Sequence, residues 1–371
     1  MPKKPDSRPA TSLAEANMRR KVEQSTLVRA LSSESVELPK VKPPSLEGLE
    51  VTVPRAPDIT EQALLERFHE LRREHATRRQ RAVGEPVAEG DLVVVDVLAF
   101  AFGKLIPFSI RSDFRTELAP IPALPGFLEG LVGHKVGEQV RVPVKLPASY
   151  PAEWLRGVEA QFVVDLKQAW QLTLPEEESP EFLARLGRGK TLEEVMGSIA
   201  SELEEELIDS LWIEAEQRVL DEVAERTQVE LPASLIDEEI RRLWGRTEGR
   251  ILALRGLPTA DQEALLQSWL SDPGQRLEAE RRLRVSLGLG ALIESQGLKL
   301  EEAQIHGLLE RVAPQLGMKR EEVLQALKTD RAVARTVAET ALHLHAVEYV
   351  MERARIHFEG AEEGRAQLGK R

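Results

Sequence analysis

The 371 residues follow two different rhythms of apolar and polar positions. Between residues 83 and 174 the apolar side chains come in short β-rich runs, Leu92–Val97, Gln139–Leu146 and Gln161–Leu166, separated by Gly and Pro turns. The middle run alternates, the mark of a strand with one buried face. This block predicts a small antiparallel β domain with one short helix after Leu124-Pro-Gly-Phe127. From Pro180 onward the spacing changes to three and four. Thr191-Leu-Glu-Glu194 is a capping box, and Leu192, Val195, Ile199 and Leu203 continue one face of a helix running to about Thr227. Pro232, Pro258, Pro273 and Gly297 divide the rest of the chain into helices over 233–254, 260–271 and 275–296, with three more over 301–314, 319–328 and 330–356. Their short connections predict antiparallel neighbours. The fold class is therefore α+β, a β domain (83–174) followed by an extended all-α domain (175–358).

Upstream, residues 37–82 read as a linker strand and helix that belong with the helical domain. Leu38-Pro-Lys-Val-Lys-Pro-Pro44 is incompatible with helix interior, Leu49–Val53 alternates, and Thr60 caps a helix carrying Leu64, Leu65, Phe68 and Leu71 on one face. That helix ends in Arg72, Arg73, Arg78, Arg79 and Arg81, which read as a solvated helix end complementing the dipole. Residues 1–36 predict a leader that is disordered or forms one weakly amphipathic helix through Leu13, Met18, Val22, Leu27 and Leu31, and residues 359–371 a disordered tail.

Charge sharpens this division. The chain carries 62 acidic against 50 basic side chains, yet residues 1–45 hold nine basic and five acidic groups, which leaves −16 on the remainder. An acidic body argues against nucleic acid as a partner, because neutralising phosphates takes clustered cations. The absence of cysteine removes disulfide and thiolate chemistry. No run approaches the ~18 apolar residues of a membrane span and no signal peptide is apparent, so a soluble, cytoplasmic protein with no membrane partner is expected.

Catalytic motifs are scarce. His343 and His345 are two apart on a helix and point to different faces, the other histidines have no ligand-spaced partner, and no phosphate loop, dinucleotide fingerprint or nucleophile elbow occurs. No cofactor and no metal is expected. One reaction needs no ionisable group: rotation about an Xaa–Pro bond, which an apolar pocket promotes by desolvating and twisting the amide.

Three runs in the β block, Leu124-Pro-Gly-Phe-Leu-Glu-Gly-Leu131, Gly133-His-Lys-Val-Gly-Glu138 and Leu146-Pro-Ala-Ser-Tyr150, resemble the FKBP-type peptidyl-prolyl isomerase domain as it occurs in the trigger factor family of chaperones. Leu46-Glu-Gly-Leu49, Leu174-Pro-Glu, Glu181-Phe-Leu-Ala-Arg-Leu-Gly and Val229–Asp237 resemble that family's linker and helical substrate-binding domain, so the likeness spans roughly 37–358. The family's ribosome-docking domain, marked by a GFRxGKxP loop, has no counterpart here, so ribosome docking is not expected.

The resemblance implies a prolyl pocket at Phe114, Leu124, Phe127, Tyr150 and Phe162, degenerate because the family's strand tyrosine corresponds to Val97 and its acidic pair to Ile106-Pro107. The apolar replacement around Phe100, Phe102, Ile106 and Phe108 reads as a client-binding surface, half of it explicable as β core. The implied cradle contributes further client contacts at Leu308, Leu309, Val312, Leu316, Met318, Val323, Leu324 and Leu327, together with Leu342, Val347, Val350 and Met351. The expected function is an ATP-independent chaperone without ribosome docking, monomeric when no client is bound. It would hold a non-native or export-bound client, as a dedicated chaperone or inhibitor of one partner. The alternative is an active prolyl isomerase, and a third reading is an adaptor bound through the leader.

Overall fold

The computed structural model describes residues 13–33, 38–119, 121, 123–299, 325 and 329–360. Its contacts divide the chain into two units that do not follow consecutive blocks of sequence. One comprises the described residues up to Asp58, Leu203–Glu239 and the described residues from Pro273 onward; the other comprises Ile59–Glu202 and Ile240–Asp272.

The first unit is helical. The C-terminal part of α5 (Leu192–Arg226), α9 (Pro273–Gln296) and α10 (Arg331–Met351) bury a shared core of Val219, Val223, Val285, Leu289, Val347 and Val350. Onto it packs a parallel ribbon in which β1 (Glu50–Val53) pairs with β8 (Arg355–Phe358), Val51 opposite Ile356. Trp212 meets Phe358 edge to face, with ring centroids 5.2 Å apart. The Arg226 guanidinium donates to the carbonyls of Ser45, Glu47 and Gly48, which fixes the turn entering β1. Gly288 lets α9 approach the loop after α5: a Cβ there would lie 2.3 Å from Thr227 Oγ1.

The leader is folded where it is described. Residues Leu13–Ser25 form α1 and Leu27–Ser33 form α2, with Leu27 and Leu31 fully buried. A buried ion pair, Arg282 Nε to Glu239 Oε1 at 3.1 Å, lies beneath α9. Both partners are almost wholly removed from water, so each depends on the other to offset its desolvation.

The second unit holds a six-stranded antiparallel sheet. Strand β7 (Glu159–Thr173) runs between β3 (Leu92–Ala101) on one side and both β2 (Thr77–Gln80) and β6 (Gln139–Lys145) on the other; β4 (Lys104–Leu105) and β5 (Arg111–Glu117) also pair with β3. The alternating run at 139–145 is β6 as its pattern predicts, with Val140, Val142 and Val144 buried. Strand β3 is different. Its near-continuous apolar sequence is buried on both faces, Val93, Val95, Val97, Ala99 and Ala101 in the main β core and Leu98 in a second cluster on the opposite side. A two-residue turn, Phe102-Gly103, closes β3 onto β4 with Ala101 opposite Lys104; both turn residues have positive φ, 52° and 74°.

Helix α3 (Glu61–Glu74) begins at the expected Thr60, whose hydroxyl accepts from the Ala63 N–H at 3.2 Å, and it ends within the arginine run, with Arg72 and Arg73 in its last turn. Arg78 and Arg79 belong to β2. Arg81 pairs with buried Asp91 and with Glu85, while Arg79 donates to Glu85 at 2.6 Å. The first two arginines thus close the helix as expected, paired with Glu177 and Glu117, whereas the last three belong to or directly follow a strand. Hydrogen bonding to Arg79 with the Ala82 N–H holds the Glu85 carboxyl down to about 2. Where a short helix was expected after Phe127 there is a single 3₁₀ turn, Glu129–Leu131. The helices expected over 301–314 and 319–328 lie almost wholly outside the described residues.

His343 on α10 is buried, and that burial, aided by the Lys21 cation, holds its imidazole down to about 4. An unfolded histidine titrates near 6.5, so the unfolded chain takes up this proton first as pH falls. The stability contributed by the neutral ring is therefore complete above about pH 6.5 and is lost between there and about 4. We expect His343→Gln to lose about 3 kcal/mol less than the parent protein across that window, measured by denaturant unfolding at a series of pH values.

Candidate functional site

The five residues implied to form a prolyl pocket are brought to one side of the sheet. Phe127 and Phe162 are buried with ring centroids 4.7 Å apart and planes inclined by 46°. Leu124 and Tyr150 pack half-buried against the same core. Phe114 pairs with Val95 on β3 and so shares the face of that core residue, but on the sparsely covered strand β5 it stays 36% exposed. Burial raises the Tyr150 phenol above its ordinary value, and the Arg111 cation opposes that shift. The arrangement is an aromatic floor with a half-open rim, suited to apolar and aromatic contacts rather than to acid–base chemistry. Among the described residues no group of three or more His, Asp or Glu side chains is placed to hold a metal ion.

The apolar loop beyond β3 is covered by the unit's own helices. Ile106 is core at 2% exposed, Phe100 packs into the second cluster, Phe108 lies 4.9 Å from the Trp269 ring, and Phe102 is 73% exposed. The cover consists of α7 (Glu248–Leu254) and α8 (Thr259–Ser271), which bury Leu252 and Leu265 against Leu98 and Ile110. The physical reason is strand β3 itself. With apolar residues on both faces it needs a layer on each, and the second layer takes up most of the surface that the sequence offers to a client.

Two polar anchors hold this cover. Asp96, the one charged residue in β3, accepts from the Asp113 N–H at 2.7 Å and pairs with Lys167 at 3.3 Å and with Arg255, just past α7, at 2.8 Å. Burial tends to raise the Asp96 carboxyl, but those donors outweigh it and hold it below its ordinary value. On the other side Glu248 Oε2 accepts from the Trp269 indole at 2.7 Å. Burial raises the Glu248 carboxyl despite that bond. Sequence reading missed all four residues of these anchors, Asp96, Arg255, Glu248 and Trp269. A signal was present in Asp96, since an acid within an otherwise apolar strand demands a cation from whatever covers it.

In the helical unit, Val347 and Val350 are core, while Leu342 and Met351 are half-buried. Leu308, Leu309, Val312, Leu316, Met318, Val323, Leu324 and Leu327 lie outside the described residues. A cavity of about 620 Å³ opens between the end of α5 and the start of α9, lined by Ala224, Val229 and Leu277 beside Asp221, Arg281 and Arg284. Leu277 is 69% exposed there.

Comparison with known proteins gives this architecture its relatives. Residues 191–352 match the family model for the C-terminus of bacterial trigger factor. The trigger factors of Glaesserella parasuis serovar 5 and Shewanella woodyi are each 30% identical to this chain, over 318 and 319 residues, covering 86% of it and 70% of their own length. The chain belongs to the trigger factor family. The trigger factor of Actinobacillus pleuropneumoniae serotype 3 is 28% identical over 322 residues, with the same coverage. A solved structure described as "Promiscuous Substrate Recognition in Folding and Assembly Activities of the Trigger Factor Chaperone" aligns with 85% of this chain and 73% of its own at 19% identity, with a TM-score of 0.34. Among the described residues no helix is long and apolar enough to cross a membrane.

Removing the Glu248 carboxylate strands the Trp269 N–H in an apolar seam, a loss of about 1–3 kcal/mol. For Glu248→Ala we expect amide exchange across 248–271 to quicken about tenfold or more while β3 and β7 keep their protection, measured by hydrogen exchange with mass spectrometry.

Proposed function

We propose that this trigger factor family member is an ATP-independent holding chaperone that works in the cytoplasm without docking on the ribosome, and that it serves one non-native or export-bound client. The observation that carries the holding role is the open cavity of the helical unit. Its wall mixes exposed Leu277 with Arg281, Arg284 and Asp221, a surface that grips apolar and charged side chains weakly and without demanding one shape. Family membership supports the same reading. The acidic balance of the body disfavours nucleic acid as a competitor for the site.

A second reading has its own support. Phe114, Leu124, Phe127, Tyr150 and Phe162 share one face of the β unit, which favours a peptidyl-prolyl isomerase acting through desolvation at an aromatic floor. The two readings differ in what they need. Holding needs area and tolerance, whereas isomerisation needs one twisted amide in one place.

One pair of assays separates them. The holding reading expects the protein to suppress aggregation of a chemically denatured client without nucleotide, and Leu277→Glu to weaken that suppression about threefold or more, since a charge replaces an apolar contact. It expects slow or no turnover of a proline peptide. Turnover that disappears in Tyr150→Ala, with no suppression of aggregation, would hand the function to the isomerase. Affinity purification from the native cell addresses the dedicated client: a broad mixture of bound chains rather than one dominant polypeptide would remove that part of the proposal.

A further inference from the structure

The leader helix α1 is buried through the wrong kind of residue for a core helix. Its buried side chains are Asn17 and Gln24, whereas its first apolar residue, Leu13, is 55% exposed. Each inward position meets a hydrogen-bonding group of the helical unit. Gln24 Nε2 donates to the Arg282 carbonyl at 2.8 Å and to Ser286 Oγ at 3.1 Å, and Ser286 Oγ donates back to the Gln24 carbonyl at 3.3 Å. The Ser25 and Thr340 hydroxyls share a hydrogen bond of 2.9 Å. Lys21 pairs with Glu216 at 2.5 Å, and Gln217 donates to Asn17 at 3.4 Å. The seat of α1 is thus a polar groove formed by α5, α9 and α10.

Such a seat can be emptied at low cost. Water replaces each hydrogen bond nearly one for one, so the net stabilisation per bond is only about 0.5–1.5 kcal/mol, and an exposed polar groove has no drive to collapse or aggregate. The next helix behaves differently. Leu27 and Leu31 of α2 are fully buried, and the helices break at Thr26. An apolar anchor, a break and a polar rod follow one another within 19 residues, Leu13 to Leu31. This arrangement allows α1 to swing out while α2 stays seated.

We propose that the polar groove between α5, α9 and α10 is a second client-binding site and that α1 is its resident occupant, displaced when a client segment enters. The segment it fits is one able to form a helix with carboxamide and cationic side chains on one face at the spacing of Asn17, Lys21 and Gln24, which places them in register with Gln217, Glu216 and Ser286. This inference rests on the holding reading above and adds to it a second, hydrogen-bonding site besides the mixed apolar and charged cavity.

The test uses the absence of cysteine from the 371-residue sequence, so that two introduced thiols are the only reactive ones in it. Asn17→Cys with Gln217→Cys is treated either with a short bismaleimide, which ties α1 into its groove, or with a monofunctional maleimide, which caps both thiols and leaves α1 free. Suppression of aggregation of a denatured client is then compared between the two forms of the same variant. The proposal expects the bridged form to hold client about fivefold less well than the capped form, and client binding to speed amide exchange over residues 13–25 in the parent protein. Failure of the bridge to form would mean that α1 does not occupy this groove, and equal holding by both forms would overturn displacement while leaving the holding chaperone intact. If neither these two forms nor the parent protein suppresses aggregation, the holding reading falls and this site falls with it.

Discussion

Four residues near the start of the helical unit pair in parallel with four near the end of the described chain, Glu50 with Arg355 through Val53 with Phe358, and that pairing makes the unit one body. Closing a loop of some 300 residues costs about 5 kcal/mol in chain entropy, before any local ordering. Two backbone bonds outside the ladder, Arg355 N–H to the Leu49 carbonyl at 2.8 Å and Glu359 N–H to the Val53 carbonyl at 3.0 Å, cannot offset that alone. The apolar faces can. Leu49 and Val51 lie in the same core as Val219, Leu289 and Val350, so the ribbon and the packing of α5, α9 and α10 stabilise one another. The β unit occupies the sequence between these closing segments, and its stretches 59–202 and 240–272 are accordingly two pieces rather than one.

Within the β unit the comparable constraint is strand β3. A strand with one buried face needs one neighbour layer; Leu92–Ala101 has two buried faces and requires a second. The helices from 240–272 meet that need, and once they do, Asp96 becomes an anchor instead of a liability, because Arg255 arrives with the cover. Phe102 and Phe108 stand in left-handed backbone, with φ of 52° and 63°, a conformation that costs a bulky residue about 1–3 kcal/mol each. Contact with Trp269 helps to offset the strain at Phe108. Phe102, 73% exposed, has no such cover, so its strained aromatic is the part of this loop still presented outward.

How far the sequence revealed this depends on what each element buries. Strand β6 and α5 were legible because one apolar face gives one clean period. Strand β8 was not: Arg355–Phe358 continues the helical spacing of α10, and only its distant partner β1 turns it into a strand. Strand β2 hid within an arginine run in which Arg79 and Arg81 pair with Glu85 and Asp91, side chains several residues further along. The residues that the resemblance offers for a prolyl pocket lie on one face of the sheet, whereas the client surface expected around Phe100 and Phe108 could not be told from a face awaiting the chain's own helices. Apolar periodicity says that something will cover a surface, never what.

The leader shows the opposite limit. Helix α1 was legible only as a weak helix because its buried side chains, Asn17 and Gln24, carry no apolar signal at all. The same property separates it from α7 and α8. Those helices bury Leu252 and Leu265 in an apolar seam besides their two polar anchors, so lifting them also exposes hydrocarbon to water at about 25 cal/mol per Å². Lifting α1 exposes amides, hydroxyls and a carboxylate that water solvates as well as the protein does. Each of these segments rests on a folded surface, and the chemistry of the seam, rather than its extent, decides which of them is a fixed part and which is an occupant.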